Sequence, residues 1–121
     1  MLAVGGYYLG ELTDRDIRMT TGFAGGIGES FLNNCGAFSA GVMIIGALHG
    51  RTSPDGEVLE CQDLAAQFQE RFQERFDTIN CGKLREEKYG SGGAEPCSIL
   101  VERAARILID LLGSQVENNH L

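Results

Sequence analysis

The centre of the sequence reads Asn33-Asn34-Cys35-Gly36-Ala37-Phe38-Ser39-Ala40-Gly41, and it opens an uncharged run of small and apolar residues that ends near Leu48. The side-chain oxygen of Asn can accept from the first free N–H groups of a helix, so Asn33 or Asn34 is expected to cap a helix beginning at Cys35. A helix that is apolar nearly all round is usually buried. We therefore predict that this is the central helix, and that its small residues let a second helix approach closely.

A glycine-rich segment, Gly22 to Gly28, leads into this stretch. It lacks the Lys-Ser/Thr pair of a phosphate-binding P-loop and the strand that precedes a dinucleotide fingerprint, so nucleotide binding is not expected. The glycines indicate a turn whose backbone needs positive φ or close contact. Such a turn would also bring backbone N–H groups near a thiolate.

The other segments favour helices as well. Met1 to Gly10 predicts a short helix that depends on tertiary packing, and Thr13 with Asp16 forms a capping-box pattern. The strongest helical pattern runs from Glu57 to about Asp77, because its apolar residues recur at three- and four-residue spacings. Their shared face carries Cys61, Leu64, Ala65, Phe68, Phe72 and Phe76.

Two further helix starts follow. Thr78 or Asn80 is expected to cap a short helix at Cys81, and Pro96 suits the first position of a last helix that should stop at Gly113. No segment has a strand pattern. We predict an all-α fold, a compact bundle of about five helices around the buried central helix. One domain over 1–113 and a flexible tail over 114–121 are expected.

Composition excludes several classes of function. The net charge is -7 and no basic stripe is present, so nucleic acid is not an expected partner. The longest apolar run is shorter than the roughly 18 residues that span a bilayer, and no positive segment precedes the apolar start as in a signal peptide. A cytoplasmic protein without membrane contact is predicted. In that compartment the 4 cysteines favour catalytic, redox or metal chemistry over a disulfide framework.

Three cysteines, Cys35, Cys81 and Cys97, fall at predicted helix starts. The free N–H groups and the positive end of the helix dipole stabilise an anion there. The pKa of such a thiol can fall from about 8.5 into the range of roughly 3.5 to 7.5. We predict that these three form one catalytic site. Cys61 lies inside the Phe-bearing helix on its apolar face, so we expect it to be buried and inert.

Two alternatives remain at this point. The same three cysteines could hold a metal ion or an iron–sulfur cluster with an outside fourth ligand, although no Cys-x-x-Cys pair is present. His49 and His120 are isolated and are not expected to be ligands, so no cofactor is predicted. In the other alternative, the chain is a helical interaction module and its cysteines serve only for packing.

The chain resembles the family of small redox-active proteins named for the C…GCAxxG…C…C cysteine pattern. The matching segments are the Gly22-Phe23-Ala24-Gly25-Gly26 loop, Cys35-Gly36-Ala37, Phe72 to Phe76 leading through Thr78-Ile79-Asn80 into Cys81, and Glu95-Pro96-Cys97. The resemblance covers Leu2 to about Leu112. It implies a helical fold and a redox role for the cysteines.

Two departures from that pattern stand out. The family has a first cysteine on an N-terminal helix, whereas nothing before Cys35 is a cysteine here; the sequence looks as if it starts inside that helix, or this member lacks the residue. The last glycine of the motif falls at Ala40, with Gly41 beside it. The family's cysteine positions are therefore assigned only to Cys35, Cys81 and Cys97, and Cys35 is the expected nucleophile. A redox protein is the expected partner, and apolar surface left by a missing helix segment would favour a homodimer.

Overall fold

A computed structural model describes residues 1–119, apart from the side chains of Glu87 and of residues 114–119. Over that range the chain forms six α-helices and no strand. They are α1 (Leu2–Leu9), α2 (Asp14–Thr20), α3 (Gly36–His49), α4 (Leu59–Phe76), α5 (Cys81–Glu87) and α6 (Cys97–Asn119). Two 3-10 turns, Thr21–Phe23 and Gly90–Gly92, lie between them. The all-α prediction is confirmed, with six helices where about five were expected. None of the helices in this range is long and apolar enough to cross a membrane.

Helix α3 is the central helix, as predicted, because α1, α4 and α6 all pack against it. The core lies mainly between α3 and α4, where Phe38 stacks on Phe68 with ring centroids 5.5 Å apart. Phe72 meets Phe38 edge-on and lies 4.6 Å from Phe76. The four-residue spacing of the α4 rings places all of them on one buried face.

The close approach of α3 to α4 depends on Gly41. A Cβ added at Gly41 would collide with the ring of Phe68, so a side chain there would push the two helices apart. Gly41 itself is buried. The predicted role of the small residues on α3 is therefore confirmed at this position.

Several helix boundaries also follow the sequence patterns. Thr13 and Asp16 form the predicted capping box at α2, each side chain accepting from the other residue's backbone N–H. Asn80 caps α5, with its side-chain oxygen accepting from the N–H of Lys83 at 3.0 Å. Asp77 ends α4 in the left-handed conformation, with φ 70°.

Two boundary predictions are wrong. Neither Asn33 nor Asn34 caps α3; Cys35 itself occupies the N-cap position, because Asn34 is engaged in an isolated antiparallel bridge with Asn80. Helix α6 continues past Gly113 to Asn119. A glycine ends a helix by turning left-handed, and Gly113 does not have a positive φ. The domain limits and the tail flexibility stay predictions, and residues 120 and 121 lie outside the described range.

The glycine-rich approach to α3 forms a left-handed turn. The φ angles from Gly25 to Glu29 are all positive, between 57° and 70°, and they include the β-branched Ile27. A branched side chain is strained in this region, so tertiary contacts must hold the turn. One such contact is at Gly26, where an added Cβ would lie 2.7 Å from the Cβ of Cys81. This turn therefore closes over the start of α5.

Candidate functional site

An isolated antiparallel bridge brings the first two cysteines together. Asn34 and Asn80 are the bridged pair; the N–H of Cys35 donates to Ile79 at 2.7 Å, and the N–H of Cys81 donates to Asn33 at 2.8 Å. Side chains on either side of a bridged pair share one face. Cys35 and Cys81 are diagonal neighbours on that face, which corresponds to roughly 7–8 Å between α-carbons. A disulfide between them would need a small approach of the two segments.

Cys97 reaches the same place through a closed loop after α5. The N–H of Gly90 donates to the carbonyl of Glu95 at 2.9 Å, and the N–H of Glu95 donates to the carbonyl of Lys88 at 3.1 Å. These bonds turn the chain back, so α6 begins beside α5. The guanidinium of Arg85 then contacts the sulfur of Cys97, with 3.6 Å between Nη1 and Sγ.

The three predicted cysteines line one cavity of about 510 Å³. Cys61 does not line it; this residue is half-buried and packs against the core elsewhere. A shallower depression along the exposed face of α4 contains no thiol. All four cysteines are free thiols. The cavity walls are mostly apolar and come from several segments: Met1, Ala24, Phe31, Ala37, Ala40, Leu84, Leu100 and Val101.

The expectation of low thiol pKa values at these helix starts is wrong for two of the three cysteines. Burial raises the pKa of Cys35, and the nearby N–H groups of Ala37 and Phe38 lower it by less. These groups lie near the sulfur but make no capping hydrogen bond of normal geometry, so burial has the greater weight. Burial also raises the pKa of Cys81, and the positive charge of Arg85 opposes this effect.

Arg85 is a site residue that the sequence patterns did not indicate, because a single arginine in the charged segment from Lys83 to Lys88 matches no motif. Its side chain is half-buried in the cavity wall. A local signal was present: Arg85 follows Cys81 by four residues, which places both on the same side of α5. That spacing does not predict that Cys97 lies next to Arg85.

The residues considered for metal binding are placed differently. Among the side chains that the structure describes, no three of His, Cys, Asp or Glu are grouped so that they could hold a metal ion, the three cavity cysteines included. His49 lies at the end of α3, where its Nδ1 is 3.4 Å from a carboxylate oxygen of Glu60. His120 lies outside the described residues.

One comparison with known proteins supports the family that the cysteine pattern indicates, and two others found no match. No match was found among the curated proteins or among the solved structures. A family model does match, over residues 2–111, which is most of the chain. The chain therefore belongs to the family described as "Putative redox-active protein (C_GCAxxG_C_C)".

Proposed function

We propose that this protein carries out thiol–disulfide exchange through Cys35, Cys81 and Cys97. The observation that carries the proposal is their convergence: three free thiols from three separate helix starts line one cavity. Apolar walls around the thiols limit the access of water, while the Arg85 guanidinium offers a positive charge to a sulfur anion.

The exchange proceeds in two balanced steps. In the first, one cavity thiolate attacks a sulfur of the partner's disulfide; a mixed disulfide forms, and a partner thiolate leaves and takes up a proton. In the second step, another cavity cysteine loses its proton. It attacks the sulfur of the first cavity cysteine in that mixed disulfide. The second partner thiolate leaves and is protonated. The protein loses two electrons and two protons in total, and the partner's disulfide gains them.

We infer that the partner is a disulfide-bearing redox protein and that the exchange takes place in the cytoplasm. Four free cysteines are typical of a reducing compartment, where thiols are kept available for transient bonds. Dithiol chemistry is favoured over a metal-based electron carrier, because the described side chains form no ligand group for a metal.

The test is oxidation of the reduced, folded full chain with a small aromatic disulfide, followed by peptide mass mapping. We expect one intramolecular disulfide between two of the three cavity cysteines, with two reagent thiols released per chain. Cys61 is a matched control for Cys97, because both are half-buried and Cys61 lies outside the cavity. It should stay a free thiol.

Two results would contradict the proposal. One is oxidation that stops at mixed disulfides on every accessible cysteine, Cys61 included. The other is a set of cavity thiols that react only after unfolding. Replacement of Cys61 by Ala should leave the yield of the intramolecular disulfide unchanged, whereas replacement of Cys81 or Cys97 should alter the pairing or abolish it.

A further inference from the structure

We propose that Cys97 is the attacking thiol of this site and that Arg85 is the residue that positions and stabilises its thiolate. This inference rests on the proposed function. It differs from the expectation drawn from the sequence, in which Cys35 is the nucleophile. Three features of the structure support it: the way Arg85 is held, the space left by Gly90, and the different accessibility of the three thiols.

The guanidinium of Arg85 is held on three sides. Its Cζ lies 4.4 Å from the centre of the Phe31 ring, a cation–π contact, and its Nη2 donates to the hydroxyl of Ser91 at 3.1 Å. Its Nη1 donates to the sulfur of Cys97 at 3.6 Å. Among the described residues, no carboxylate forms an ion pair with Arg85. Its positive charge is therefore directed at the thiol rather than neutralised by an acid.

Gly90 leaves the space in which the guanidinium and the sulfur meet. A Cβ at this position would lie 2.6 Å from Nη1 of Arg85 and 3.3 Å from Sγ of Cys97. The φ angle of Gly90 is 74°, a conformation that other residues adopt with strain. A side chain there would separate Arg85 from Cys97, so the loop has the one residue type that permits the contact.

The three thiols differ in exposure. Cys35 and Cys81 are each only 7% exposed, whereas Cys97 is half-buried. Attack on a disulfide requires the sulfur to meet the partner. The buried pair is better suited to the second step, in which the target sulfur is already attached to this chain.

Other titratable groups share the cavity or lie close to Cys97 in the sequence. Cys35 and Cys81 share the cavity, and Glu29 lines it from the left-handed turn. Glu95, two residues before Cys97, is occupied by the guanidinium of Arg103 at 3.0 Å. Arg85 is the one cationic side chain among the described residues that line the cavity.

In the first step, the Cys97 sulfur forms a bond to one partner sulfur as the partner's disulfide breaks. The electron pair goes to the departing partner sulfur, which is protonated from water. The guanidinium stabilises the negative sulfur before attack and stays protonated throughout, because an arginine side chain is not deprotonated in proteins. Cys81 or Cys35 then loses its proton to water and bonds to the sulfur of Cys97. The bond between Cys97 and the partner breaks, and the second partner thiolate is protonated from water.

The experiment measures the rate of alkylation by iodoacetamide against pH in the full chain with Cys35→Ala, Cys61→Ala and Cys81→Ala, so that Cys97 is the only thiol. Arg85→Met is expected to slow alkylation about tenfold near neutral pH and to move the pH profile upward, since an adjacent cation favours the anion. At strongly alkaline pH the rates should converge. Arg85→Lys should restore most of the rate.

Arg106→Met is the matched control, because it removes one positive charge from an exposed position paired with Glu102. Its alkylation rate should depend on pH in the same way as that of the single-thiol protein that retains Arg85. If Arg85→Met and Arg106→Met give the same profile, Arg85 is not a positioning residue. Circular dichroism of each variant verifies that the helical content is kept.

A second measurement uses the chain with all its cysteines, in case the triple substitution alters folding. Brief labelling and peptide mass analysis identify the cysteine that reacts first, which should be Cys97. If Cys35 or Cys81 reacts first and an intramolecular disulfide still forms on oxidation, this inference is overturned and the proposed function stands. If Cys97 reacts first but no such disulfide forms, the proposed function fails instead.

Discussion

The aromatic core and the cysteine cavity lie at neighbouring parts of the same central helix, yet they are built in different ways. The core joins α3 to one face of α4, where Phe68, Phe72 and Phe76 follow one another at helical spacing. The cavity is assembled from loop crossings and from the starts of three helices. The contrast indicates that packing in one region follows local periodicity, whereas chemistry in the other depends on how distant segments meet.

The two regions also differ in how they tolerate substitutions. Phe72 is fully buried and touches Phe38 and Phe76, so its removal leaves a void in closely packed surroundings. At the cavity, the contacts are hydrogen bonds across loops and the placement of single glycines. Substitutions there should alter thiol reactivity more than stability, and substitutions in the core should do the reverse.

The largest effect is expected for Phe72→Ala. Loss of this ring should lower the free energy of unfolding by about 3–5 kcal/mol, measured by urea titration. Gln73→Ala, on the exposed side of the same helix, is the control and should change little. The labelling rate of Cys97 in the folded protein should be unchanged. A large change in that rate would mean that the two regions are not separable.

Next in size is Gly26→Ala, at φ 70° in the left-handed turn. The added Cβ would lie 2.7 Å from the Cβ of Cys81 and 3.1 Å from the carbonyl oxygen of Asn33. We expect a loss of about 1–3 kcal/mol and faster labelling of Cys81, because the turn must move away. Gly22→Ala is the control: an added Cβ there meets no atom within 4 Å. Equal effects of the two substitutions would refute the role given to the turn.

A smaller effect is expected for Asn80→Ala, which removes the cap of α5 and the hydrogen bond from Nδ2 to the carbonyl of Leu32, 3.1 Å long. The unfolding free energy should fall by about 1 kcal/mol. Thr13→Ala removes a comparable cap from α2, away from the cavity, and should cost a similar amount. Only Asn80→Ala should accelerate alkylation of Cys81; a matching acceleration in Thr13→Ala would contradict this.

The smallest effect concerns pH. Burial raises the pKa of Cys35 in the folded protein, so the folded state keeps this proton at a pH where the unfolded chain has lost it. The contribution of this thiol to the free energy of unfolding is fully present below the ordinary thiol pKa of about 8.5. It falls as the pH rises above that value. Thermal unfolding should therefore show a weaker alkaline loss in Cys35→Ala than in the natural chain. An alkaline loss in Cys35→Ala as large as that of the natural chain would count against the assignment.

Much of the helical framework could be predicted from local patterns. The capping box at Thr13, the cap at Asn80 and the buried face of α4 each depend on residues within one or two turns of each other. The failures at Asn34 and Gly113 have a different origin. Asn34 bridges to Asn80, a distant partner, and Gly113 stays helical because a glycine costs only about 1 kcal/mol inside a helix.

At the candidate site, the three cysteines could be grouped from their helix starts and from the family resemblance, but their chemical differences could not. Helix-start position predicts a stabilised thiolate for each of them equally. Burial reverses that expectation at Cys35 and Cys81. Burial depends on segments outside the local helix pattern, such as the turn whose Gly26 packs against Cys81. Arg85 was missed for the same reason.

The sequence by itself determined the helices, their buried faces and the three candidate thiols, because spacing and capping act over a few residues. Only the tertiary structure decided which thiol is accessible, which are buried, and that Arg85 lies against Cys97. Desolvation and charge act through space, so they depend on which distant segments fold together.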